Sequence, residues 1–367
     1  MGPRGPAPRR PHLTSSHVLA RGQPTDPDGR GLPGNLAVAQ RLWDSPKTDR
    51  EVHPTECVAP NASAGSFATT ELPRRWQDLT VEPPDVARAI DAAISVAVAL
   101  DLPVDGATVL HNSNKLALRL TPCDVLARVA HVGQEVAQFE VELAQRLAEV
   151  GCPAGTLEPR VDPIVYVDDG FAVTLWTYYE PVTPEVSPAD YADALERLHV
   201  GMRGLDVSSP SFTDRVAEAE ELVARSDLTP ELASADRALL RSTLGTLRRT
   251  IVDRGAREQL LHGEPHPGNV LSTKDGALFI DLETCCRGPV EFDLAHVPVT
   301  VSQHYPGLDQ GLLHDCRQLV LAMVAAWRWD PGDQFPNRTR AREEFLNALR
   351  AGPPWPTLDV MVARHGR

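Results

Sequence analysis

A chain of 367 residues, 42% hydrophobic and 23% charged, can bury a sizeable core and is long enough for two lobes. Its formal net charge of −14 argues against a nucleic-acid backbone as the main partner; the same acidity suits a cationic ligand and equally keeps a protein in solution. The six cysteines, Cys57, Cys123, Cys152, Cys285, Cys286 and Cys316, contain no C-x-x-C pair and no zinc spacing, so reduced thiols are expected and a zinc module is excluded.

Residues 1–80 read as a disordered tail, rich in Pro, Gly, Arg, Ser and Thr without sustained periodicity. Arg4, Arg9 and Arg10 among prolines do not form a signal peptide, and Pro6 stands where a myristoylation motif needs Ser or Thr. The longest apolar run, Ala92 to Leu100, is far short of a membrane span. No membrane association and a cytoplasmic location are therefore expected.

Pro83-Pro84-Asp85 is a reasonable helix start, and Val86, Ile90, Ala93, Ile94 and Val98 follow at helical spacing. Strand-like runs come next at 107–110, 116–120 and 125–130, then a helix ending at Gly151-Cys152-Pro153. Two further strands at 164–167 and 171–176 flank the turn Asp168-Asp169-Gly170. The sum is a five-stranded antiparallel sheet with one internal helix, over 84–180. From Pro188 the periodicity is helical, at 189–205, 211–226, 230–254 and 309–328, interrupted by a short hairpin around Lys274-Asp275-Gly276. These runs predict an α+β bilobal architecture, with a mainly helical lobe over 181–350 and a tail at 351–367.

The interruption carries the chemistry. His262-Gly263-Glu264-Pro265-His266-Pro267-Gly268-Asn269 precedes the hairpin, and Ile280-Asp281-Leu282-Glu283 follows it. A carboxylate, an amide five residues on and a second carboxylate on the next strand are what a kinase needs. The first orients or deprotonates a hydroxyl, and the other two hold Mg²⁺ on nucleotide phosphates. The spacing from Glu264 to Asn269 equals that from Asp to Asn in the protein-kinase catalytic loop.

Together with Gly288-Pro289-Val290-Glu291-Phe292-Asp293-Leu294-Ala295, these runs resemble the aminoglycoside phosphotransferase and choline-kinase-like family, over roughly residues 85–330. The resemblance implies a protein-kinase-like fold and transfer of phosphate from ATP or GTP to a small-molecule hydroxyl, such as that of an aminoglycoside or another amine-bearing compound. It places Glu264 as the catalytic base, where the family usually has Asp, and Asn269 and Asp281 as metal ligands. Glu283 is left between a second-metal contact and a cationic-substrate contact. His262 and His266 are loop-structuring residues, and Asp293 braces the loop or caps a helix.

In the front half, the family's strand lysine falls where this chain has Arg128, which can grip phosphate bidentately or be a plain strand-edge arginine. Its partner by the family's helix pattern is Glu140, with Glu135 and Glu142 as rivals. Ser113 and Asn114 in the first hairpin are candidates for phosphate contact or for an ordinary turn. Tyr178, at the expected hinge, is a candidate for the adenine edge or for hinge core. The rival function is a pseudokinase that binds nucleotide or a protein partner without transferring phosphate, for which the Glu264 and Arg128 departures speak. Removing residues 1–75 is expected to leave melting temperature and nucleotide binding intact, as a thermal melt with and without ATP would check.

Overall fold

A computed structural model describes residues 83–112, 115–132, 135–183, 185–333, 335 and 337–364. The expected tail at 1–80 and the candidates Ser113 and Asn114 lie outside these residues. In chain order the first elements are α1 (Pro83–Ala99), β1 (Val104–Asn112), β2 (Leu116–Pro122), β3 (Val125–His131), α2 (Glu135–Glu149), β4 (Tyr166–Asp168) and β5 (Phe171–Thr177). The strands form one antiparallel sheet in the order β1-β2-β3-β5-β4.

Alternation of side chains gives this sheet two different faces. Leu116, Leu118 and Leu120 of β2, Val125, Ala127 and Val129 of β3, and Phe171, Val173 and Leu175 of β5 are buried against Ala89, Ile90, Ala93 and Val96 of α1. The intervening residues, Ala117, Arg119, Leu126 and Arg128, are half-buried on the opposite face, toward α2. The β4–β5 turn uses Asp169 (φ 43°) and Gly170 (φ 81°), the two positive values that a tight hairpin needs.

The second half contains α3 (Pro188–Met202), α4 (Phe212–Ala224), α5 (Ser234–Asp253), β6 (Gln259–Leu261), β7 (Val270–Thr273), β8 (Gly276–Phe279), β9 (Cys286–Gly288), α6 (Val290–Leu294), α7 (Val299–Ser302), α8 (Gln310–Trp327), α9 (Arg338–Ala351) and α10 (Leu358–Ala363). Local chemistry sets several of these starts. Ser211 and Asp214 make a reciprocal capping box at α4, and Asp309 accepts from Gly311 N and Leu312 N at α8. The apolar helix α8 is buried over most of its length and forms the centre of a core with α4, α5, α9 and α10.

The stretch at 351–367, expected as a tail, instead contains α10, whose Leu358, Met361 and Val362 enter that core. Three apolar residues in one and a half turns are too few to stand out as a period. Similarly, α9 is strongly polar and shows only the narrow stripe Ala341, Phe345, Leu346 and Leu349. Among the described residues, no helix is long and apolar enough to cross a membrane.

One segment stitches the sheet to the helical half. Gly155 N donates to Phe279 O (2.8 Å) and Phe279 N to Pro153 O (2.8 Å), while Glu158 N donates to Leu175 O (3.0 Å) and Thr177 N to Thr156 O (2.9 Å). Residues 153–158 therefore hydrogen-bond to the end of β8 on one side and to β5 on the other. This fixes the β8 terminus, where Asp281 sits, relative to the sheet that carries Arg128.

Candidate active site

The loop between β6 and β7 is held by its backbone. Asp293, fully buried on α6, accepts from His262 N (2.9 Å) and Gly263 N (2.8 Å), and its Oδ2 also meets His199 Nε2 of α3 (2.9 Å). His199 Nδ1 in turn meets the Tyr305 hydroxyl (2.8 Å). Asp293 is thus a loop brace; the cap of α6 is Pro289. Burial alone would raise its pKa, but the hydrogen bond and charge of His199, with His262 and Gly263 N, hold it below the ordinary value.

Within the loop, Glu264 O accepts from His266 N (2.8 Å) and from the Asn269 side-chain amide (3.0 Å). Donation by Nδ2 to the loop leaves the Asn269 amide oxygen directed away from it. His266 Nδ1 accepts from Gly268 N (3.1 Å), and His262 Nε2 meets Ile280 O (3.0 Å). Burial holds both imidazoles below their ordinary pKa, His266 at about 4, so they are neutral loop-structuring groups. The hydroxyl of buried Tyr191 adds a bond to Pro265 O. Gly263 has φ +90°, and a Cβ there would fall 1.9 Å from Thr284 O, so the loop admits no side chain at this point.

Ile280 N bonds Asn269 O (3.0 Å), which brings the end of β8 beside the loop. Asp281 follows with φ 66° and ψ 74°, a left-handed conformation that turns its carboxylate out of the strand. Arg128 Nη2 lies 2.5 Å from Asp281 Oδ1, and Arg128 Nη1 lies 2.6 Å from Glu140 Oε1. Of the rival acids, Glu142 is exposed on α2. Burial opposes the Arg128 charge, but Glu140, Asp281 and Glu283 overcome it and raise its pKa. Burial likewise opposes ionisation of Asp281, and Arg128 with Lys115 reverses that, so Asp281 is held ionised well below the ordinary range.

Two residues enter that the motifs do not contain. Lys115, just before β2, contacts Glu140 Oε2 and lies 2.6 Å from Glu283 Oε2. It is one of only three lysines in a chain with 36 basic residues, the signal that could have singled it out. Arg215 of α4 contacts Glu264, donates to Thr284 O (3.2 Å) and stands 5.6 Å from the Trp327 ring centre. Nothing local distinguishes Arg215 among so many arginines. Burial raises the Glu264 pKa above its ordinary value, and Arg215 opposes that rise.

Glu283 is buried against Lys115, which argues against its contacting a cationic substrate. Oxygen ligand atoms of Glu140, Asp281 and Glu283 lie within 4.8 Å of one another, a hard-donor set that suits Mg²⁺. Tyr178 follows β5 with the Arg119 guanidinium stacked 4.1 Å from its ring centre, so that ring face is already covered.

Comparison with known proteins shows the family and the fold. The model of the phosphotransferase enzyme family (APH) matches residues 110–328. Amicoumacin kinase hAmiN, solved with AMP-PNP, Ca²⁺ and Ami, is similar at 12% identity and a TM-score of 0.57, covering 76% of this chain and all of that one. The GDP and kanamycin complex of APH(2")-IIia gives 14% identity and 0.54 over 71% of this chain and 98% of that one. Choline kinase LicA from Streptococcus pneumoniae gives 17% and 0.51 over 70% and 99%. No curated protein sequence matches. The α+β kinase-like fold expected from the motifs is the fold of this chain.

Asp293→Ala should destabilise the protein by about 3 kcal/mol or more, since it strips two buried amides and an imidazole of their acceptor. Because the folded-state pKa is depressed, the Asp293 contribution is complete above the unfolded value of about 3.9 and is lost as pH falls through the folded value. Urea unfolding of wild type and variant at pH 7 and pH 3 checks both, with the gap between them narrowing at the lower pH.

Proposed function

The chain belongs to the phosphotransferase enzyme family, and we propose that it is a Mg²⁺-dependent kinase moving the γ-phosphoryl group of ATP or GTP to a hydroxyl of a small molecule. The observation that carries this reading is the meeting of Glu264, Asn269 and Asp281 on one braced loop and strand end, facing Arg128 on the sheet. The acceptor oxygen attacks the γ-phosphorus, the bond to the β–γ bridging oxygen breaks, and the nucleoside diphosphate leaves. Glu264 orients the acceptor hydroxyl and takes its proton. Asn269 and Asp281 would hold the divalent ion, which would supply positive charge to neutralise the phosphates. Arg128, anchored by Glu140, grips phosphate from the sheet side.

Glu is longer than the family's Asp by about 1.5 Å, and the Arg215 contact takes up that length by drawing the carboxylate toward α4. Base catalysis supplies only about 10²–10⁴-fold, whereas positioning and electrostatics supply most of phosphoryl transfer. The acceptor class rests on the neighbours, among them a kinase of amicoumacin, a choline kinase and a kanamycin-bound protein. An amine-bearing alcohol is therefore the first class to test.

One observation favours a nucleotide-binding pseudokinase as the second reading: Glu264 and Asp281 are both engaged by arginines, Arg215 and Arg128. Calorimetric titration of ATP and GTP with and without Mg²⁺, with Asp281→Asn as control, comes first. Mg²⁺-dependent binding that the control loses is expected, and no binding of either nucleotide would sink the kinase reading. Turnover then separates the two readings. The native enzyme should match or exceed Glu264→Asp, whereas activity in the Asp variant alone would mark a decayed site.

The pH profile follows from Glu264. As a base it must be ionised, so kcat/KM falls as pH drops through a pKa raised above the ordinary Glu value by burial. Arg215 holds that pKa down, so Arg215→Met should move the acid limb to higher pH, which initial rates from pH 4.5 to 8 would show.

A further inference from the structure

Two basic and three acidic side chains make up the charged centre, and their exposure orders them. Asp281 keeps 31% of its side chain open and Arg128 14%, whereas Glu140 and Glu283 keep 3% and Lys115 5%. An ion arriving with nucleotide phosphates therefore meets Asp281 first, whereas Glu283 is buried against Lys115. The lysine ammonium stands between the two deepest carboxylates, in contact with Glu140 Oε2 and 2.6 Å from Glu283 Oε2.

We propose that Lys115 is a built-in substitute for a second metal ion, so that this active site takes one divalent ion, at Asn269 and Asp281, where a kinase site can take two. The inference rests on the phosphotransferase reading above and deepens it. Charge supports it: Lys115 already supplies positive charge between Glu140 and Glu283, at the place a second ion would have to take. Without Lys115 only Arg128, on the open side, would screen Glu140, Asp281 and Glu283, whose ligand oxygens lie within 4.8 Å of one another, close enough to hold an ion.

The strand register explains how a lysine reaches this place. Leu116 pairs with Val129, so Lys115 stands one step further, beside Ala130, and diagonal to Arg128 on the same face. Ala117 and Ala130 are small, which leaves the four-carbon stem a path across the sheet to α2. Arg128 serves the open side of Glu140 and Lys115 the closed side. Lys115 is accordingly a positioning residue, acting through Glu140 and Glu283.

Ion counting tests this. Mn²⁺, read by electron paramagnetic resonance, is titrated into the full chain with AMP-PNP, the protein in excess so that all the nucleotide is bound. Wild type should bind one Mn²⁺ per nucleotide-bound chain, and Lys115→Met should bind two. Glu283→Gln should keep the single ion, while Asp281→Asn loses it. Two ions in wild type would overturn the proposal even if the lysine variant fails to fold, as would loss of the ion in Glu283→Gln. A folded Lys115→Met that still binds one ion would overturn it as well. No AMP-PNP binding by the wild type at any Mn²⁺ concentration would instead overturn the phosphotransferase reading, and the inference with it.

Discussion

The arrangement depends on bringing five charged side chains together, three of them buried, where three parts of the chain meet. Each ion taken out of water costs several kcal/mol, and only close pairing offsets this. Lys115 and Arg128 from the sheet, Glu140 from α2, and Asp281 and Glu283 from the end of β8 supply that pairing to one another. None of these groups is satisfied by its own element, so the sheet, the helix and the strand end must close on each other. The apolar core around Leu143, Leu147, Trp176 and Phe279 packs the same elements together.

A second buried carboxylate sets the loop. Asp293 fixes the amides of His262 and Gly263, and through His199 it connects α6 to α3 and Tyr305. Once these amides are fixed, the loop's own bonds from Glu264 O to His266 and Asn269 place the amide side chain beside Asp281. The two systems meet at Ile280, which gives its N–H to Asn269 and its carbonyl to His262. The charged centre and the loop are thereby held by separate anchors with one shared strand end.

The loop was readable from the chain because its parts are contiguous: His262 to Asn269 and Ile280 to Glu283 carry spacing that belongs to the chemistry itself. The sheet was readable because β2 and most of β3 alternate in burial on either side of the Asp124 turn. Lys115 and Arg215 were not, because each reaches its carboxylate across a long sequence gap, and pairing of that kind leaves no local period. The same holds for α10, held in place by α8 rather than by a stripe of its own. Glu140 could be preferred over Glu142 only by resemblance; burial on the face toward the sheet is what separates them in space.

Gly263 has a consequence for how this loop can change through descent. Its φ of +90° and the Thr284 carbonyl at 1.9 Å from any Cβ close that codon to substitution. The next codon is open: a single base change interconverts Glu and Asp at 264, where the side chain contacts Arg215 of α4. A change of carboxylate length at 264 therefore acts on the contact with α4, while the backbone at Gly263 admits no side chain.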